Sequence, residues 1–175
     1  MMVAMDDDVR RELDDLRRRV GVSEAVLAIQ SLKARYGGLV DRRFSRGRVV
    51  GPDELDRLAT KIADLFTPDG EWDGGPVLGT AVGREAIADR MRQPTLTFSR
   101  HLFLMPRVTV DGDRASARWD LLSPCRAADG TSYWMCGFED DTYERSDDGT
   151  WRHRTMRMTT VFLSPTDPGW ERIFH

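Results

Sequence analysis

Residues 98–121, FSRHLFLMPRVTVDGDRASARWDL, decide the fold class because they contain two strand patterns joined by a tight turn. The Asp-Gly-Asp sequence at 111–113 is a typical hairpin turn. After the turn, apolar and polar residues alternate with the period of two that marks a half-buried strand. The apolar members are Ala115, Ala117, Trp119 and Leu121. This stretch therefore predicts an antiparallel hairpin.

Two further turns extend this hairpin into a meander. They lie at Asp129-Gly130 and at SDDG, 146–149, and each precedes a new strand pattern, SYWMCGFEDDTY and TWRHRTMRMTTVFL. Upstream, three segments show helical patterns, and we expect these helices to begin near Ser23, Pro52 and Gly83. Helices followed by an antiparallel meander predict an α+β fold, with the helices packed on one face of the sheet.

Composition narrows the class of protein. The chain has 175 residues and no Pro/Gly/Ser linker, which predicts one domain with its own core. A net charge of −3 argues against a nucleic-acid partner, because nucleic-acid-binding surfaces are usually basic. No stretch is long and apolar enough to span a membrane, and the N-terminus lacks a secretion-signal pattern. We therefore expect a cytoplasmic protein with no nucleic-acid or membrane partner.

Residues 33–43, KARYGGLVDRR, contain the first candidate site residues. Two glycines weaken the helix, and Asp41 follows near its C-terminal end, where the helix dipole disfavours a carboxylate. Tyr36 lies in the apolar stripe and is by itself explained as a core tyrosine. Asp41 is either a surface carboxylate beside Arg42 and Arg43 or the partner of a group in a pocket.

His101 is the second candidate, since it opens the apolar segment LFLM, which we expect to be a buried strand. Its imidazole is either a core histidine bonded to a backbone carbonyl or a general base, because histidine titrates near neutral pH. The sequence pattern alone leaves both interpretations open.

The last strand pattern contains two candidate arginines. Alternation predicts Arg157 on the same face as His153, and Arg154 on the opposite face. An arginine that faces a pocket would bind an anion or a developing oxyanion. The acidic run at 139–141 is expected to be a solvated strand end. The sequence contains no HExxH, Cys-x-x-Cys, Walker loop or GxGxxG, so we expect no metal and no cofactor.

Several motifs together make the chain resemble a known family. They are Tyr-x4-Asp on a helix, LFTPDGEWDGG, VGREAI, a histidine opening a strand, VTVDGDRASARW and DGTWRHRTMR. Over residues 20–163 this order resembles the SnoaL-like branch of the nuclear-transport-factor-two-like superfamily. The resemblance implies a cone-shaped, cystatin-like α+β fold, in which a curved antiparallel sheet wraps around N-terminal helices and encloses a deep apolar pocket.

Within that superfamily, the Tyr-x4-Asp motif and the strand histidine are similar to bile acid dehydratase and scytalone dehydratase type members. The resemblance implies His101 as the base, Asp41 as the carboxylate that orients it and Tyr36 as a pocket tyrosine. It also implies an arginine on the last strand, for which Arg157 matches best and Arg154 is the alternative. The expected substrate-binding residues are Trp72, Phe103, Trp119 and Met135.

The resemblance thus predicts a cofactor-free lyase, of the dehydratase type, acting on a hydrophobic cyclic carbonyl compound such as a steroid or a polyketide. An isomerase or a polyketide cyclase would begin with the same proton abstraction, so the sequence does not separate these reactions. A non-catalytic small-molecule-binding module is the alternative from a different class, because this fold hosts many functions.

Three segments are expected along the chain: a charged helical lead-in at 1–20, the SnoaL-like domain at 21–163 and a tail at 164–175. The tail holds large apolar residues in a stretch too short to build a core, so we expect it to dock over the pocket or on a neighbouring subunit. The resemblance implies a homo-oligomer, with a trimer favoured over a dimer.

Overall fold

The computed structural model describes residues 2–166 of the chain. Four α-helices lie in this range: α1 (Met2–Asp41), α2 (Pro52–Ala63), α3 (Gly75–Leu78) and α4 (Arg84–Met91). The strands are β1 (Phe44–Ser45), β2 (Arg48–Val49), β3 (Phe66–Asp73), β4 (Thr80–Val82), β5 (Leu96–Ser99), β6 (Leu102–Asp111), β7 (Arg114–Ala127), β8 (Ser132–Arg145) and β9 (Trp151–Pro165). The apolar tail residues at 170–174 lie outside the described residues, so the docking of the tail stays a prediction.

Seven of the strands form one sheet in the order β4-β3-β9-β8-β7-β5, with β6 also paired to β7. Paired strands are antiparallel except β3 and β9, which are parallel. The hairpin between β6 and β7 turns at Gly112, whose φ of 57° suits glycine. The predicted α+β fold with a curved, mainly antiparallel sheet is confirmed.

The core lies between the helices and one face of the sheet, called here the inner face. α1, α2 and α4 bring apolar stripes to this face because their apolar residues recur at three- and four-residue spacing. Fully buried helix residues include Ile29, Leu58, Ile62 and Ile87. The sheet contributes Trp72, Trp119, Tyr143 and Met156.

The first helix is longer than the sequence pattern predicts. We expected a helix to begin at Ser23, but α1 runs through this position without a break. The Ser23 hydroxyl donates to the carbonyl of Arg19 at 3.1 Å, so the side chain bonds back within the helix and does not cap a new one. Ion pairs one turn apart, such as Asp14–Arg17 at 3.1 Å, support the charged N-terminal part of α1.

The edge strand β6 corrects a second expectation. We expected the segment LFLM to be buried, but Leu102, Leu104 and Met105 are 40%, 45% and 68% exposed. β6 pairs only with β7 among the described strands, and its outer side has no covering layer within residues 2–166. Phe103, on the other side of the strand, packs against the core. Within the described residues, no helix is long and apolar enough to cross a membrane.

Candidate active site

A break in the sheet positions His101. β5 ends at Ser99 and β6 begins at Leu102, and both strands pair with β7, so His101 sits in the gap between them. Its backbone N–H does not join the sheet. It donates instead to both carboxylate oxygens of Asp41, at 3.1 Å each. The last residue of α1 therefore fixes the backbone that carries the histidine.

The side chains of Asp41 and His101 also meet. Oδ1 of Asp41 is 2.6 Å from Nδ1 of His101, and the two side chains are 7% and 14% exposed. When Nδ1 donates to the Asp41 carboxylate, the neutral imidazole has its lone pair on Nε2. No group within residues 2–166 hydrogen-bonds to Nε2. A carboxylate-oriented imidazole with an open nitrogen is the arrangement that a general base requires.

Gly37 allows the strand and the helix to approach each other beside this pair. A Cβ atom at Gly37 would lie 3.0 Å from Cε2 of Phe103 and 3.8 Å from Cβ of His101. The Phe103 ring stacks on His101 with 5.9 Å between ring centroids. At Gly38 an added Cβ atom would meet no atom of the described residues within 4 Å. The space beside Gly37 is thus filled by an aromatic ring of the same chain.

Tyr36 lies deeper, on the buried side of α1. Its hydroxyl oxygen accepts a hydrogen bond of 2.9 Å from Nε1 of Trp72, and both side chains are buried. Burial, with the charge of Glu139 as a second cause, raises the pKa of Tyr36, so the phenol keeps its proton. A protonated hydroxyl held in this way can donate to an oxygen atom of a ligand.

A second charged cluster, which sequence reasoning missed, fills the interior. Nζ of Lys33 donates to Glu139 and, at 2.7 Å, to Oδ2 of Asp141, and all three side chains are buried. The predicted solvated strand end at 139–141 is therefore wrong for Glu139 and Asp141. It holds for Asp140, which is exposed and pairs with Arg118.

Aromatic groups complete this interior cluster. Nε1 of Trp119 donates to the Tyr143 hydroxyl at 3.0 Å, and Tyr143 donates to Oδ2 of Asp141 at 2.7 Å. Nδ1 of His153 lies 3.7 Å from the same oxygen. Within residues 2–166, the two ring nitrogens of His153 and Oδ1 of Asp141 have no hydrogen-bond partner.

Burial controls the protonation of this interior. Burial raises the pKa of Asp141 to about 6, although the charge of Lys33 opposes the shift. Burial by itself lowers the pKa of Lys33, but the charges of Asp141 and Glu139 outweigh it and raise that pKa. Burial, together with the charge of Lys33, lowers the pKa of His153 well below its ordinary value, so this imidazole is neutral at pH 7.

Two sequence signals for the interior cluster are visible in retrospect. Lys33 lies four residues after Ile29 and three before Tyr36, within the apolar stripe of α1. Glu139 and Asp141 share the period of two with Tyr143, and they pair with Trp119 and Ala117 on β7. A charged residue at such a position is buried with its partners.

The arginines of the last strand lie outside the site. β9 carries one extra residue opposite Thr142 and Tyr143, and this bulge shifts the alternation so that Met156 turns inward. Arg157 consequently points outward, is 61% exposed and pairs with Glu71, which corrects the expectation that it faces the pocket. Arg154 bonds to Asp69 at 2.7 Å and 3.2 Å, so it does not replace Arg157 in the site.

The four predicted substrate-binding residues all contribute to the inner side of the sheet. Trp72 and Trp119 are buried, and Phe103 and Met135 are half-buried. Both tryptophans direct their N–H groups to tyrosine hydroxyls, at Tyr36 and Tyr143. Contact of these four residues with a substrate stays a prediction. Within the described residues, no group of three or more His, Cys, Asp or Glu side chains is arranged to hold a metal ion.

Comparison with solved structures reveals the same fold in several proteins. A hexachlorocyclohexane dehydrochlorinase, LinA type 2, is 21% identical with a TM-score of 0.69, over 83% of this chain and 90% of that chain. An NTF2-like protein with a cystatin-like fold from Novosphingobium aromaticivorans is 28% identical with a TM-score of 0.65, over 83% and 88%. A protein provisionally named scytalone dehydratase, from the same organism, is 18% identical with a TM-score of 0.65, over 82% and 88%.

Sequence comparison assigns the family. No curated protein matches the sequence. The family model for the SnoaL-like domain matches residues 22–157, which include the Asp41–His101 pair and the interior cluster. The match covers most of the chain and agrees with the curved sheet and N-terminal helices. The chain therefore belongs to the SnoaL-like domain family.

Proposed function

We propose that the protein is a cofactor-free lyase of the dehydratase type, acting on a hydrophobic cyclic carbonyl compound such as a steroid or a polyketide. The observation that carries the proposal is the 2.6 Å contact between Asp41 and Nδ1 of His101, which leaves Nε2 open to act as a base. Two structural neighbours, named as a dehydrochlorinase and as a scytalone dehydratase, support an elimination reaction.

In the proposed reaction, Nε2 of His101 takes a proton from the carbon next to the substrate carbonyl. The C–H electron pair forms a carbon–carbon double bond, and the carbonyl oxygen takes up the negative charge as an enolate. The Tyr36 hydroxyl donates a hydrogen bond to this oxygen. Arg157 does not take this role, because its side chain is on the outer face of the sheet. Asp41 stabilises the imidazolium ion formed in this step.

The second half of the reaction releases water. The enolate returns its electron pair, the carbonyl re-forms, and a new double bond develops next to it. The hydroxyl group on the following carbon leaves, and the imidazolium of His101 gives it the proton that it took in the first step. His101 ends neutral, so the cycle needs no metal, redox partner or other co-reactant.

The test is to incubate the full chain with a panel of steroids and polyketides and to identify bound ligands and products by mass spectrometry. We expect a product that is lighter than its substrate by one water molecule. His101→Ala and Asp41→Asn should each lower turnover about 10²–10⁴-fold, because each removes part of the positioned base. Circular dichroism should show that both variants remain folded.

Arg157→Ala and Asp140→Asn are the matched controls, since both side chains are on the outer face of the sheet. Both controls should retain normal turnover. Near-normal turnover in His101→Ala and Asp41→Asn would overturn the proposed mechanism. A product of unchanged mass would identify an isomerase or a cyclase, and a ligand that binds without reacting would identify a binding module.

A further inference from the structure

The helix α1 carries two apolar stripes on opposite sides. One stripe, which includes Ile29 and Tyr36, packs into the core of the chain. The other, called here the outer seam, is 45–63% exposed at every position. Its members are Val9, Leu13, Leu16, Val20 and Leu27. At about 100° per residue, Leu27 and Ile29 lie about 200° apart around the helix, so the outer seam faces away from the sheet.

The outer seam has the spacing of a coiled coil. Its residues follow one another after four, three, four and seven positions, which is a heptad pattern whose a and d positions from Val9 to Leu27 are apolar except for Ser23 at d. Leu13, Val20 and Leu27 occupy a positions, and Val9 and Leu16 occupy d positions. Only the heptad of Leu16 and Val20 has the leucine at d and the β-branched residue at a that favour two parallel strands, whereas Leu13 and Leu27 at a do not add to this preference.

The part of α1 that carries the seam has ion pairs within the helix but almost no contact with the rest of its chain. Residues 7–24 are exposed apart from Asp15, which is half-buried. An isolated helix of this length is only marginally stable in water, and its apolar seam would stay solvated. A helix of this kind is stabilised when a second helix covers its seam.

The charges that flank the seam identify the partner helix. In a parallel pair, the g position of one helix meets the e position of the following heptad of the other. Glu12 and Arg19 occupy g positions, and Arg17 and Glu24 occupy the e positions that they meet, so both contacts join opposite charges. This complementarity exists between two copies of one sequence in parallel orientation.

We propose that residues 9–27 form a parallel, two-stranded coiled coil with the same residues of a second copy of this chain. This contact predicts a dimer, which is an alternative to the trimer implied by the family resemblance. α1 continues from the seam to Asp41 without a break. The coiled coil would therefore stabilise the same helix that carries the carboxylate of the Asp41–His101 pair.

The first test measures the mass of the full chain by light scattering and sedimentation. We expect two chains for the wild type and one chain, 19.9 kDa, for Leu16→Glu. Arg18→Gln is the matched control, because it changes the net charge equally but lies on the side of the helix opposite the seam. This control should remain a dimer. A monomeric wild type would overturn the proposal and would mean that another partner covers the seam. A Leu16→Glu variant with the same mass as the wild type would also overturn it.

The second test determines orientation. Val9→Cys in a Cys136→Ser background should form a disulfide between two copies of residue 9 under mild oxidation, since parallel d positions face each other. No cross-link would overturn the parallel arrangement, and a mass of three chains would overturn the two-stranded one. Glu12→Arg should weaken the dimer by repelling Arg17 of the second copy, and Glu12→Arg with Arg17→Glu should restore it. No recovery in the double variant would overturn the proposed charge pairing.

Discussion

The Asp41–His101 pair and the Lys33–Glu139–Asp141 cluster use similar side chains in different surroundings. In the pair, one carboxylate holds one ring nitrogen and leaves the other nitrogen open. In the cluster, two carboxylates hold one ammonium group, and all three side chains are at most 5% exposed. We therefore expect different roles for groups of the same acid–base chemistry, because a base can react only where it has a free lone pair that a substrate can reach.

Phe103 separates the two regions. Its ring centroid is 5.9 Å from that of His101 and 4.4 Å from Nζ of Lys33. The ring therefore touches the candidate base on one side and the buried cation on the other. We therefore expect substitutions in the Lys33–Glu139–Asp141 cluster to alter mainly the stability of the fold. Substitutions in the Asp41–His101 pair should alter mainly turnover.

Removal of the buried cation is expected to have the largest effect on stability. Lys33→Met leaves Glu139 and Asp141 buried without a positive charge, and breaking a buried ion pair in this way costs about 3–5 kcal/mol. Denaturant unfolding at pH 7 measures this loss. Adding Glu139→Gln and Asp141→Asn to Lys33→Met should recover part of it, because no uncompensated charge then remains.

The control for this prediction is Arg118→Met on the outer face of the sheet. Arg118 makes two hydrogen bonds to Asp140, but both side chains are about half exposed, so we expect a much smaller loss of stability than for Lys33→Met. An equal loss in Lys33→Met and Arg118→Met would contradict the view that burial separates these ion pairs.

The pH dependence of stability sharpens the comparison further. The pKa of Asp141 rises on folding from its ordinary value of 3.8 to about 6, so between these values the folded chain keeps a proton that the unfolded chain has lost. The contribution of Asp141 to the free energy of unfolding therefore falls as the pH rises from 3.8 to about 6, by on the order of 3 kcal/mol, and is constant above. The difference in stability between wild type and Asp141→Asn, measured by denaturant unfolding across this range, tests the sign.

Asp148 provides the opposite case in the same chain. Its hydrogen bonds to Arg152 and to the backbone of Thr150 lower its pKa, so its contribution to stability is present at neutral pH and is lost as the pH falls. The difference between wild type and Asp148→Asn should therefore change with pH in the direction opposite to that of Asp141→Asn. Two differences of the same sign would contradict the assignment of Asp141 to a buried, proton-retaining site.

The two adjacent glycines of α1 give the smallest expected effects and differ in sign. Gly38→Ala should stabilise the protein by about 0.5–1 kcal/mol, because alanine favours the helix and its Cβ atom meets open space. Gly37→Ala should destabilise it by about 1 kcal/mol, because its Cβ atom displaces Phe103, and this overpacking exceeds the helix gain. Thermal unfolding of both variants tests the prediction, and stabilisation by Gly37→Ala would show that Phe103 is loosely held.

Local pattern was sufficient for the hairpin between β6 and β7 and for the helix that begins at Pro52. The pairing of Asp41 with His101 was implied only by the family resemblance. Two expectations failed where a local rule was interrupted. The bulge at residue 154 of β9 reverses the alternation that placed Arg157 inward. At Ser23, a hydrogen bond within the helix replaces the expected cap.

The sequence by itself determined the order of helices and strands, because the periods of 3.6 and 2 are properties of neighbouring residues. It did not determine which charged residues are buried. Lys33 is 106 and 108 residues away from Glu139 and Asp141 in the chain, and each of the three is costly to bury alone. Only the packing of α1 on the inner face of the sheet brings them together, and the break between β5 and β6 likewise turns His101 toward Asp41. Both contacts depend on groups distant in sequence, so tertiary structure alone decides them.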